Sequence, residues 1–482
     1  MKATGSHPSA ASRVGAVATA FVLAVASYAS VGALGASTLG PSPCSTESRS
    51  IPIPQPSDAQ MEAAGLAHLP TAPDSARVDL EAPPFTNPTN VTNPLFPISD
   101  LHSAVLDGRI DRQPFHTETT LLPYTRIIEW TPGQCVETLV SQYTAFLNGR
   151  IQEVALDYYA QADDGSVWYF GEDVSDYDRR GVIAFTTDSW LAGRDGPPAM
   201  IMPGDPRVGQ AFRTENVPGK VFEEVTVKTT GKTVPGPYGP VDGAMVGQEL
   251  HDDGMTSDKV FAPGYGEFLT RDTDGVEAMA VAVPTDAIQG PVPDDLRAIE
   301  SGAIDVWHSA VSGSWSAATG EVSHMNAAWK LYRAADTVPV RLKGPMDRAL
   351  FLLSNAIDAR ARAASASASI DVAQAGLDLQ LPFRPPVEVD IGRFEMWLRQ
   401  LLLDARAGDG GAASGDVAAL EVTRDRFSTS IDPVALTTLN RDLLSIREDQ
   451  VDGNIRAVVR VARDLLGEVT GMRTPSTTGQ TS

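Results

Sequence analysis

The chain has 482 residues, 42% hydrophobic and 21% charged, enough apolar material for two or three domains with substantial cores. Its formal net charge is −23. Without a basic surplus to neutralise phosphates, nucleic acid is excluded as a partner.

Lys2 and Arg13 precede an uncharged run over residues 14–36 that ends in small residues, with Ala33-Leu34-Gly35 as the cleavage site. This predicts a signal peptide over residues 1–36, or an N-terminal anchor where it stays uncleaved, since the run is long enough to span a bilayer. Both forms make the rest of the chain extracytoplasmic, secreted or associated with the cell envelope. Membrane contact is expected only through the uncleaved segment. Cys44 and Cys135 are the only cysteines. In an oxidising compartment an even pair predicts a disulfide.

Residues 37–92 are rich in Pro, Ser, Thr and Ala, with little periodicity. They read as an extended, disordered spacer with one short helical piece at Met61–Leu69. Residues 93–285 alternate short apolar stretches with Gly, Pro and Asp turns, a β-rich pattern. Expected strands include Thr125–Trp130, Val154–Gln161, Ser166–Phe170, Gly181–Thr187, Val221–Thr229, Ala244–Glu249 and Glu277–Val283. Residues 294–472 switch to helical spacing, as in Leu296, Ile299, Ala303 and Val306. Asp409–Gly415 reads as a loop, and Asp432-Pro433 as an N-cap with Pro at the first helical position. Residues 473–482 form a disordered tail. The fold class is therefore α+β in two domains: an antiparallel β-rich half-barrel or sandwich, then an all-α antiparallel helical bundle.

The sharpest chemistry lies in Val154–Asp178. Val154, Leu156, Tyr158 and Ala160 share one strand face. With Asp164-Gly165 as a two-residue loop, counting outward pairs Ala160 with Tyr169, Tyr159 with Phe170, and Asp157 with Glu172. The last pair is repulsive unless water or a cation intervenes. Asp157, Glu172, Asp173, Asp176 and Asp178 would converge at the open end of this hairpin, where carbonyls and water complete a calcium shell. Calcium is the single cofactor candidate. His251, Asp252 and Asp253 form a second candidate site for a divalent metal. Asp157 and Glu172 also have the residue types for glycoside hydrolysis, given a cleft and a raised pKa.

Other chemistries fall away. The chain has no G-x-S-x-G, H-E-x-x-H or C-x-x-C. Read as an EF-hand with Gly165 at the sixth position, Asp163-Asp164-Gly165 lacks three required oxygen ligands. His308 and His324 lie 16 residues apart, nearly opposite on one helix, so they make no i, i+4 metal pair.

NPLFPIS (93–99), DYYAQADDGSVWYFGED (157–173), SWLAGRDGPPAMIMPGDPRVGQAFRTE (189–215) and KVFAPGYGEF (259–268) resemble a family of uncharacterised secreted bacterial proteins. Its motifs take the form D-W-Y-A-Q-D-x-D-G-N-V-W-Y-F-G-E-D and Y-x-x-G-V-G. The helical half is similar to segments of other actinobacterial exported proteins. The resemblance covers residues 93–285 and implies location and architecture rather than an activity. Tyr265 stands where the pattern has Val. The expected function is a non-enzymatic ligand-binding or scaffold module whose partner is a small molecule or an envelope component. The alternatives are a calcium-type cation binder and a carboxylate-dependent envelope hydrolase.

Overall fold

The computed structural model describes residues 50–178, 181–271 and 275–473. The expected signal or anchor, Cys44 and residues 474–482 of the expected tail lie outside the described residues. Cys135 is disulfide-bonded. Among the described residues, no helix is long and apolar enough to cross a membrane.

A short N-terminal section holds β1 (Ile51–Pro52), α1 (Asp58–Ala63) and β2 (Glu81–Ala82). The sheet follows with β3 (Ser103–Ile110), β4 (Gln113–Thr131), β5 (Gln134–Leu147), β6 (Arg150–Gln161), β7 (Val167–Tyr177), β8 (Ile183–Phe185), β9 (Trp190–Leu191) and β10 (Ala199–Met202). It continues with β11 (Ala211–Val217), β12 (Val221–Pro235), β13 (Pro240–His251), β14 (Thr256–Ala262), β15 (Gly266–Arg271) and β16 (Gly275–Val283). The helices are α2 (Asp294–Ser312), α3 (Trp315–Tyr332), α4 (Lys343–Asp358), α5 (Arg362–Gln380), α6 (Pro386–Ala407), α7 (Gly410–Phe427), α8 (Pro433–Val451) and α9 (Ile455–Arg473).

The strands form one antiparallel sheet in the order β10-β7-β6-β5-β4-β3-β16-β15-β14-β13-β12-β11, with β8 and β9 also paired to β7. Chain neighbours pair along each half, and the β3–β16 ladder joins the halves. The two ends of this path, β10 and β11, are consecutive in the chain and lie against each other without a ladder. The sheet therefore curls until its edges meet but is not closed by hydrogen bonds. One continuous curved sheet replaces the sandwich alternative.

Residues 50–92 do not form a spacer. Val78 donates its N–H to Ala211 O at 3.0 Å, so this section lies along the exposed edge of β11 and covers it. Arg77 and Asp79 are buried as a pair at 2.6 Å, and Asp79 accepts the Arg213 N–H at 2.8 Å. Phe85 meets Phe170 edge-on at 5.5 Å. Leu66 and Leu69 are buried with Phe222 and Leu250. Proline-rich composition suggested a free chain because it lacks periodicity. Here the segment is held by isolated anchors, which have no period to detect.

The helices pack on the outer face of the sheet. Val105, Ala280, Val281 and Val283 share a core with α2–α9. Phe146 stacks on Trp397 at 5.4 Å, while Phe146, Ile151 and Val154 cover Ala418 and Ala419. Expected as a loop over Asp409–Gly415, the chain instead begins α7 at Gly410, with Asp409 capping the Ala412 N–H at 2.9 Å. The small residues serve a close approach: a Cβ on Gly415 would lie 3.0 Å from the Gly181 Cα. The Asp432-Pro433 start occurs as read, with Asp432 accepting the Val434 N–H at 2.9 Å.

A buried ionic node crosses this interface. Glu118 of β4 pairs with Arg393 of α6 at 2.5 Å and with Arg426 of α7. Arg393 also reaches Asp378 at 2.8 Å, and Arg426 donates to Gln142 at 2.6 Å and Thr144 at 3.0 Å. Burial opposes ionisation of Glu118, but the two guanidiniums hold it well below the usual carboxylate range.

Candidate functional site

The β6–β7 hairpin turns through three residues, not two. Ala162 donates to Ser166 O at 2.8 Å and Gly165, at φ +84°, donates to Ala162 O at 2.9 Å. Tyr159 consequently faces Tyr169, and Ala160 faces Trp168. A bulge then sets Phe170 and Gly171 against Tyr158, which restores the expected Asp157–Glu172 pair. Gly171 sits at φ +125°, and a Cβ there would lie 2.3 Å from the Trp190 carbonyl oxygen. Only glycine lets β9 approach so closely.

Directly paired residues project from the same side of a sheet. Following the ladders round, the inner face carries Asp157 opposite Glu172, Glu153 opposite Asp176, Glu215 opposite Glu223, and Glu223 opposite His251. Glu249 faces Ser257, and Lys259 faces Thr270, which in turn faces Glu277. The interior is thus lined with acids. Above them lies an aromatic end: Tyr159 stacks on Tyr169 at 4.8 Å, and Phe96 from the NPLFPIS segment meets Tyr159 at 5.0 Å. Asn93 pins that segment to the hairpin turn through Gly165 O at 2.9 Å.

Mutual burial moves these acids upward. Asp157 is raised to about 7 by burial, despite the Tyr169 hydroxyl donating to its Oδ1 at 2.7 Å. Glu172 is raised well above its usual range by burial and by Asp157, and Glu215 by burial and by Glu223 and Glu172. Burial and the nearby acids raise Glu153 to about 8. Burial with Glu223 takes Glu249 to about 7, and burial with Glu267 takes Glu277 to about 7. Glu223 goes the other way, to about 2: burial opposes ionisation, but the His251 hydrogen bond at 2.9 Å and the Lys259 charge outweigh it. Several buried polar atoms here have no partner among the described residues, including Glu249 Oε1, Asp176 Oδ2 and Trp190 Nε1.

The acids expected to converge are divided by strand alternation. Asp157, Glu172 and Asp176 face inward. Asp173 faces outward and accepts from Arg126 at 2.9 Å and the Tyr158 hydroxyl at 2.6 Å. Asp178 lies past β7, where it accepts the Val182 N–H at 3.1 Å. His251 is separated from Asp252 and Asp253, which sit exposed in a turn where Asp253 accepts the Met255 N–H at 2.8 Å. Its partners are Glu223 and Glu249 instead.

Among the described residues, two groups of three ligand atoms lie within 4.8 Å of one another: His116, Glu118 and Asp378, and Glu223, Glu249 and His251. Both already hold protein cations. Arg393 sits in the first, and Lys259 approaches Glu249 at 3.0 Å in the second. Glu153, Glu215, Glu223, Glu249 and Glu277 were not singled out from the sequence. Their signal was one or two acids inside an otherwise apolar strand, as in VFEEVTV, MVGQEL and VEAMAV. Tyr265, the departure from the resembling motif, bonds Asp286 at 2.7 Å and meets Phe268 edge-on at 5.2 Å.

No protein-family model matches the chain, and no curated protein is similar to it.

Proposed function

We propose that the chain is an exported, cell-envelope binding module without catalytic chemistry, and that the acid-lined interior of its sheet is the ligand compartment. One observation carries this reading: the inner face gathers Glu153, Asp157, Glu172, Glu215, Glu249 and Glu277, all raised by burial, on the same face as Lys259 and His251. A fold gains nothing in stability from crowding acids in this way, so a site is the better explanation. The lining favours a polar guest with positive charge or many hydrogen-bond donors. It does not favour the apolar molecule that curved antiparallel sheets often carry.

Thermal-shift titration of the purified chain with calcium, polyamines, wall oligosaccharides and fatty acids tests the reading. Stabilisation by a charged or hydroxylated ligand is expected. Stabilisation by fatty acid alone would overturn it. Turnover of a wall glycan that Asp157→Asn abolishes would replace binding with hydrolysis, the reading that Asp157 at about 7 opposite Glu172 otherwise favours.

A further inference from the structure

We infer that Asp157, Glu172 and Glu215, together with the Tyr159, Tyr169 and Trp190 rings, form a site for an organic ammonium group carried by a ligand that also has a neutral hydroxyl or carbonyl. This ligand class presupposes the binding compartment proposed above.

The interior has two halves with different charge balance. In one, Lys259 places its ammonium 3.0 Å from Glu249, beside the His251–Glu223 pair at 2.9 Å. The fold there answers its acids with its own cations. In the other, Asp157 and Glu172 oppose each other across β6 and β7, and Glu215 reaches Glu172 across the seam between the sheet edges. Burial acts most strongly on these three, followed by other acids and the Tyr169 hydroxyl, and among the described residues none of these influences is basic. A guest cation would do for this half what Lys259 does for the first.

The surrounding groups specify which cation. Tyr159 and Tyr169 stack at 4.8 Å, and Trp190 meets Tyr169 edge-on at 5.3 Å. Aromatic faces beside carboxylates suit an organic ammonium, through cation–π attraction and charge-assisted hydrogen bonds. Calcium, at roughly 2.3–2.6 Å from each oxygen, needs its ligands within about 5 Å of one another. Among the described residues, the groups of three or more ligands whose atoms lie that close are the two that hold Arg393 and Lys259, not this one.

Trp190 points to the rest of the ligand. It pairs directly with Glu172 across β9 and β7, so its side chain projects from the acid-bearing face. It is 0% exposed, and its indole N–H has no partner among the described residues. Buried donors in native proteins are normally satisfied. A ligand hydroxyl or carbonyl would satisfy this one; a carboxylate would be repelled by the acids. Glu172 and Glu215 keep partial exposure, while Asp157 and Trp190 are buried beside them.

Isothermal titration of the full chain with glucosamine, N-acetylglucosamine and calcium chloride tests the site. Glucosamine should bind, and N-acetylglucosamine, the same ring without the charge, should bind at least about tenfold more weakly. Glu172→Gln and Glu215→Gln, near-isosteric and checked by circular dichroism, should each weaken glucosamine by roughly tenfold. Equal binding of the two sugars would sink the ammonium site while leaving a polar compartment standing, and that comparison needs no variant. Calcium binding that glucosamine cannot displace, and that Glu172→Gln removes, would replace the ammonium with a metal. No binding of any of the three would remove both the site and the compartment reading.

Discussion

Glu172 concentrates the electrostatic cost of the interior: it faces Asp157, approaches Glu215 and, among the described residues, has no basic neighbour of consequence. A carboxyl whose folded pKa is raised contributes stability that is complete below its unfolded value and is lost as pH rises through the folded value. For Asp157 that window runs from 3.8 to about 7, for Glu249 and Glu277 from 4.5 to about 7, and for Glu153 from 4.5 to about 8. His116 and His251, also raised, act in the same direction. Glu118, held low by its arginines, acts oppositely, but its contribution is lost only as pH falls below 4.5. The melting temperature should therefore fall from pH 5 to pH 8. Glu172→Gln should raise it at pH 8, change it little at pH 5, and flatten the slope between. A variant that melts lower than the wild type at pH 8 would show that the carboxylate is paired after all.

At the scale of elements, the section from residue 50 to residue 92 belongs to the sheet's structure. It covers the edge of β11, which would otherwise present unpaired N–H and C=O groups beside the seam. Phe85 is its main apolar anchor, packed edge-on against Trp168 and Phe170. Phe85→Ala should cost about 3–5 kcal/mol in urea unfolding. It should also open residues 50–92 to limited proteolysis under conditions where the wild type resists cleavage. Unchanged stability with rapid wild-type cleavage would return this section to the spacer first expected of it.

At the scale of the whole molecule, the sheet and the helices are joined by an interface that buries an ionic network. Truncating one partner of a buried ionic network leaves the others uncompensated, at a cost of about 3–5 kcal/mol. Arg426→Ala leaves Glu118 with one of its two arginines and removes a partner from Gln142 and Thr144 on the sheet and from Asp390 on α6. Calorimetry should show one transition for the wild type and a lower, broadened or split one for the variant. Two resolved wild-type transitions would mean that sheet and helices unfold independently.

The amino-acid sequence alone determined the switch from period 2 to helical period near residue 290, the Asp432 cap and the opposition of Asp157 to Glu172. Each depends on residues near one another in the chain, where turn chemistry and periodicity act. Even so, the last was reached by two errors that cancel: a turn one residue longer than read, and a bulge at Gly171. Only the tertiary structure decided which acids share a space. Glu215, Glu223, Glu249 and Glu277 join Asp157 and Glu172 because the sheet curls and turns one face inward. Asp173, one residue from Glu172, is sent outward to Arg126 by strand alternation alone. Curvature and alternation are long-range geometry, and a single acid in an apolar strand carries no mark of the acids it will face.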